Sequence, residues 1–124
     1  MYFDYLVKKS MFFLLCFILF YSPLLLAANY SGGHEIGRIY VNKFGKVSFG
    51  TIPHATNTCD HYNFQFKFDS ATEGGKSMLT LLLSAKMSKA KIDVWYESSP
   101  SPGSDHTNGC TYSNIANISH IGIN

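Results

Sequence analysis

The segment KIDVWYE, residues 91–97, holds the single tryptophan of the chain, Trp95, between Asp93 and Glu97. On an extended backbone alternate side chains point to opposite faces, so Asp93, Trp95 and Glu97 share one side and Ile92, Val94 and Tyr96 the other. An indole flanked by carboxylates on a wet face suits stacking on a sugar ring or anchoring of a subunit contact. A plainer reading has Trp95 packing under the proline-containing loop 98–109 of its own chain. Arg38 and Tyr40 lie together on the polar side of an earlier strand. They complete a candidate contact set of Trp95, Asp93, Glu97, Tyr40 and Arg38.

Other chemistry-bearing residues carry less. Gly75-Lys76-Ser77 ahead of an apolar run has the ending of a phosphate-binding loop. That loop also needs a glycine five residues before its second one, and Ser70 stands there. A nucleotide site is therefore rejected. His34, His54, His61, His106 and His120 show no i, i+4 pair on a helix and no recurrent metal spacing, so neither a metal nor a cofactor is expected. Asp60 and His61 are neighbours and point apart on an extended chain. No serine sits in a Gly-x-Ser-x-Gly elbow. Nothing marks a catalytic residue, and the chain reads as a non-enzyme.

The N-terminus decides the compartment. Lys8 and Lys9 precede an uncharged apolar run that ends in Ala27-Ala28, the pattern of a secretory signal peptide over residues 1–28. Pro23 interrupts the run, which argues against a permanent membrane anchor. Cys16 lies mid-run behind leucines rather than behind a small residue, so lipidation is not expected. A mature domain over 29–124 is then exported to the periplasm or secreted. It keeps eight Lys and Arg against seven Asp and Glu, a net charge of +1. A nucleic-acid binder depends on a strong basic excess, and none is present. Cys59 and Cys110 remain as an even pair in an oxidising compartment and are expected to form a disulfide. A loop of that span is worth about 4 kcal/mol by chain entropy.

Periodicity supplies the scaffold. IGRIYVN (36–42) and KVSFGTI (46–52) alternate about a short glycine-containing turn and read as a hairpin. NFQFKFD (63–69) puts Phe64, Phe66 and Phe68 on a core face and Asn63, Gln65, Lys67 and Asp69 on a wet one. Ser70 and Glu73 have capping-box spacing. Met78, Leu81, Leu82 and Ala85, widened by Leu79 and Leu83, then form the apolar stripe of a four-turn helix. Gly74 and Gly75 let this helix start close to a neighbouring backbone. Residues 91–97 are a fourth strand and NISHIGIN, 117–124, a fifth. The prediction is a mainly β fold with one helix and one disulfide, ordered β-β-β-α-β-β. It is either a five-stranded OB-type barrel or a strongly curved open antiparallel sheet with the helix across one face.

In that order of elements, and in IGRIYVNKFGKVSFG, GKSMLTLLLSAK and KIDVWY, the chain resembles small exported bacterial OB-fold proteins. The resemblance is to B subunits of toxins that mount one A chain on five B chains, of the subtilase-cytotoxin or pertussis type. It implies a non-catalytic glycan-binding subunit in a pentameric ring lined by helices, a separate A chain as partner, and a host glycan or protein as ligand. The alternative is a stand-alone monomeric periplasmic or secreted protein with a structural or inhibitory role.

Overall fold

The computed structural model describes residues 7–8 and 28–124. The leader expected over 1–28, with Cys16, falls almost wholly outside them. The described chain forms β1 (Asn29–Val41), β2 (Lys46–Ile52), β3 (Phe66–Asp69), α1 (Glu73–Ser88), β4 (Ile92–Tyr96) and β5 (Ala116–Ile123), with a 3-10 turn at Tyr112–Asn114. The five strands close into a ring in the order β1-β2-β3-β5-β4, with β4 returning to β1. Closure replaces the open antiparallel alternative, and one of its seams, β3 with β5, is parallel.

Closure depends on β1 serving two neighbours. Asn29–His34 pairs with β4, and Glu35–Val41 pairs with β2. β1 is thus seven residues longer at its start than the alternation of 36–42 predicts. Ser31-Gly32-Gly33 has the composition of a turn, and pairing with β4 overrides that local preference. The register shifts between Ser31 and His34, where Gly33 takes φ +73°. A bulge of this kind bends the strand and lets it leave one neighbour for the next.

The interior is where the alternation placed it for β2 and β4. Val47, Phe49, Phe66, Leu82, Ile92, Val94 and Tyr96 are fully buried. The rings of Phe66 and Tyr96 meet edge to face at 4.9 Å, and the Tyr96 hydroxyl donates to the Thr56 carbonyl at 2.7 Å. α1 presses Leu82 and Ala85 into this core, and Lys86 Nζ donates to the Ile36 carbonyl at 2.9 Å. Leu83, assigned to the apolar stripe by periodicity, is exposed instead, as is Met87. A helix lying across a narrow ring covers a narrower arc than a bundle helix does.

Two local expectations are corrected. The helix is capped by Thr72, whose hydroxyl accepts from Gly75 N at 2.9 Å, while Ser70 donates its hydroxyl to the Gly45 carbonyl at 2.6 Å. Glu73 is therefore the first helical residue and not the third. Gly75 is required, because a Cβ there would overlap the Asp69 carbonyl oxygen; at Gly74 nothing lies close. The third strand begins at Phe66 rather than at residue 63. Tyr62 and Asn63 take φ of +52° and +70°, and this turn breaks the alternation. Phe64 consequently leaves the main core and packs on Cys59, Cys110 and Ile115. Gln65, placed on the wet face by period two, is 1% exposed, and its Oε1 accepts from Thr51 N at 2.8 Å. Cys59 and Cys110 form the disulfide, with Cα atoms 5.8 Å apart.

Candidate functional site

The sequence-derived contact residues fall on two separate parts of the ring wall. Trp95 lies on the outer side of β4, directly opposite Tyr30 of β1 on one flank and His120 of β5 on the other. Directly opposed residues on paired strands bring their side chains within contact range, and these three make a row across the sheet. The Tyr30 and Trp95 rings are 5.0 Å apart at 50°, and the Trp95 and His120 rings 6.1 Å apart at 73°. Tyr30 is exposed and Trp95 half-buried. Gly122 beside it leaves the ring edge clear, since a Cβ there would come to 3.5 Å of the indole.

Asp93 supplies the polar end of this shelf. Its Oδ1 accepts from Gly33 N at 3.0 Å and from Asn124 Nδ2 at 3.2 Å. Loss of solvent around the Tyr30 hydroxyl pushes its pKa up, and the charge of Asp93 and a hydrogen bond to it push the same way. Tyr30 therefore stays a protonated donor through the physiological range. Glu97 lies just past the end of β4 and is exposed; its backbone N–H donates to the Asn117 carbonyl at 3.0 Å. Loop 98–109 is bonded to residues 57–60, through Ser99 N to the Asn57 carbonyl and Gly103 N to the Thr58 carbonyl, both 2.9 Å.

Arg38 and Tyr40 project from the other half of β1. The Arg38 guanidinium sits over the rings of Tyr40 and Phe64, at 5.4 and 5.2 Å from their centroids, and donates to the Tyr62 carbonyl at 3.3 Å. Tyr40 and Phe64 meet edge to face at 5.1 Å. Together with Tyr62, Tyr112, Ser48 and Lys46 they line a cleft of about 260 Å³. The cleft is half strand and half loop. Ser48 lies between Tyr40 and Lys67 in the ladder, while Tyr62, Phe64 and Tyr112 come from segments beside the disulfide.

Period-two reasoning placed Trp95, Asp93, Tyr40 and Arg38 on outer strand faces and did not bring in Tyr30, His120, Phe64 and Tyr112, which lie beside them. His120 was legible only through register, because nothing in NISHIGIN says that its histidine faces an indole. Tyr30 was hidden by the turn-like glycines that follow it.

One further pairing is not visible in sequence. His34 is buried, its Nδ1 2.8 Å from the Pro53 carbonyl and its Nε2 2.5 Å from Ser31 Oγ. The carbonyl can only accept, so Nδ1 carries the proton and Nε2 accepts from Ser31. Ser31 is paired with fully buried Val94 and shares its inward side, so the pair satisfies a buried imidazole at the end of the ring. Among the described residues no group of three or more His, Cys, Asp or Glu could hold a metal ion. Comparison with protein-family models, with curated proteins and with solved structures finds no match to this chain.

Proposed function

We propose that the chain is an exported, non-catalytic binding module on an OB-type barrel, and that the shelf of Tyr30, Trp95 and His120 with Asp93 takes a glycan. The OB reading is supported by the closed five-stranded ring with its one helix between the third and fourth strands. The observation that carries the ligand reading is the row of rings in ladder register with a carboxylate at one end. Sugar rings stack their C–H faces on aromatic surfaces while their hydroxyls seek directional acceptors and donors. The shelf offers Asp93 as acceptor, and Asn124, His120 and the Tyr30 hydroxyl beside the rings.

A second reading, assembly into a toxin-type ring with a separate A chain, is favoured by exposed Leu83 and Met87 on α1, at 43% and 86%. In such a ring the helices would face one another. Light scattering on the exported, oxidised protein tests assembly, and a glycan screen tests the ligand. A closed oligomer that binds sugar, with binding lost in Trp95→Ala, is the expected result. A monomer that binds no glycan would overturn both readings and leave a stand-alone structural or inhibitory protein.

A further inference from the structure

The cleft at Tyr40 has a different chemistry from the shelf and shares no residue with it. Its floor is Ser48, on the outer side of β2, between Tyr40 and Lys67 in the ladder. Ser48 is 6% exposed, and its hydroxyl makes no hydrogen bond to any described residue. Unlike Thr51 Oγ1, it is not sealed from solvent. A nearly buried hydroxyl that opens into a cleft without a protein partner is a place for a ligand atom, which would take over a hydrogen bond otherwise made to solvent.

Some of the cleft's other polar atoms are already engaged. The Asn42 carboxamide oxygen accepts from Phe44 N at 2.9 Å and Lys46 N at 3.0 Å, and His61 Nδ1 lies 3.1 Å from the Cys110 carbonyl. Aromatic walls over a small hydroxyl floor suit a planar apolar ring. Arg38 lies against Tyr40 and Phe64 and holds the two ring walls in place, so the cleft is shaped before any ligand arrives.

Charge selects the rest. Across Arg38–Asn42, Lys46–Ser48 and Phe66–Asp69 the single carboxylate is Asp69, and it is bonded to Lys46 at 2.7 Å. Arg38 and Lys67 therefore stand without a carboxylate partner on these strands. Lys67 Nζ instead donates to the carbonyls of Tyr112 and Ser113 at 3.2 and 2.9 Å and lies 5.4 Å from the Tyr112 ring. It lies beside the cleft, opposite Ser48 in the ladder and against Tyr112 of the cleft wall. Loss of solvent already pushes its pKa down, so an incoming anion would restore lost stabilisation of the ammonium.

We propose that the Tyr40–Ser48–Phe64–Tyr112 cleft is a second binding site whose ligand is an aromatic carboxylate, the ring lying between Tyr40 and Tyr112 over Ser48 and the carboxylate meeting Lys67. This chemistry is shared by a free aryl acid and by a peptide that ends in Phe or Tyr. The site goes beyond the glycan reading, and either can fail while the other stands.

The test is an amide-resonance titration of the exported, oxidised protein with 3-phenylpropionate, with 3-phenyl-1-propanol and glucuronate as controls and Gly-Gly-Phe as the peptide arm. The acid is expected to shift Ser48, Lys67 and Tyr112 and to leave Trp95 and His120 unmoved. The alcohol should bind at least tenfold more weakly, Lys67→Gln should lose a similar factor, and Ser48→Ala several-fold. The Lys67 pKa should rise on binding, a response that a merely structural lysine would not give. Tighter binding of Gly-Gly-Phe than of the free acid, or the reverse, assigns the source, and both support the site. Equal binding of acid and alcohol, displacement of the acid by glucuronate, or an absence of shifts at the cleft would overturn the proposal.

Discussion

The shelf at Trp95 and the cleft at Tyr40 lie on one closed sheet and are held in different ways. Tyr30, Trp95 and His120 rise from three adjacent strands, each residue directly opposite the next, so the ladder itself sets their spacing. In the cleft, Tyr40 and Ser48 stand in ladder register, but Tyr62, Phe64 and Tyr112 belong to loop or 3-10 segments tied down by the disulfide cluster. The shelf should therefore persist as long as the ring does. The cleft should depend on a covalent tie that the ring does not need for its own hydrogen bonds.

The largest separation should come from cutting that tie. Cys59→Ser with Cys110→Ser removes the closure of a 51-residue span, worth about 4 kcal/mol on the chain-entropy account. Urea unfolding should show a loss of that order. In buffer, the surviving folded fraction should keep its Trp95 fluorescence and its shelf ligand while losing the aromatic-acid site. If both sites vanish together in protein that is still folded, the two are one unit and the comparison fails.

Gln65→Leu should act in the same direction with less force. Gln65 Nε2 reaches Asp60 Oδ1 at 3.1 Å while its Oε1 takes the Thr51 N–H, so this buried side chain pins the turn before β3 to β2. Leucine fills the space and leaves the Thr51 N–H unpaired, at about 1–3 kcal/mol. The midpoint in urea should fall accordingly, and the resonances of Tyr62 and Phe64 should broaden while those of Tyr30 and Trp95 stay sharp. Sharp resonances throughout would show that the turn holds itself.

These two variants also mark where sequence reasoning stops. Alternation placed Ile92, Val94 and Tyr96 inside and Asp93 and Trp95 outside, because β4 is regular and wet on one side. It failed at Phe64 and Gln65, where two left-handed residues, Tyr62 and Asn63, turn the chain before the strand begins. Nothing in the composition of NFQFKFD announces that turn. The disulfide pairing was legible by counting, but the aromatic cluster above it was not. Tyr112 and Phe64 are far apart in the chain and line one cleft beside the bridge. The shelf was half legible: its centre came from one strand, and its flanks came from register, which is a property of pairs of strands.

Trp95→Ala tests the shelf alone. The Tyr30–Trp95 contact is worth about 0.5–1.5 kcal/mol beyond its buried area, so the stability loss should be modest. Glycan binding should disappear and 3-phenylpropionate binding should be unchanged. A loss of aromatic-acid binding in this variant would place the two ligands on one surface.

Gly32→Ala gives the smallest effect and the finest discrimination. A Cβ at residue 32 would stand 2.5 Å from the Tyr30 hydroxyl and 2.7 Å from Asp93 Oδ1, both ends of side chains that can swing away. The ring should stay closed while Tyr30 and Asp93 part, removing the two Asp93 contributions that raise the Tyr30 pKa. A hydroxyl whose pKa is raised on folding contributes stability below its unfolded value, about 10 for tyrosine, and loses it as the pH rises through the folded value. The parent protein should therefore lose stability above pH 10 more steeply than Gly32→Ala. The Tyr30 ring-carbon resonance should titrate at lower pH in the variant, with the Tyr40 and Tyr112 resonances at neutral pH unmoved. Movement of the cleft tyrosines would mean that the bulge at Ser31–His34 transmits strain along β1 from one site to the other, and the independence argued from register would be lost.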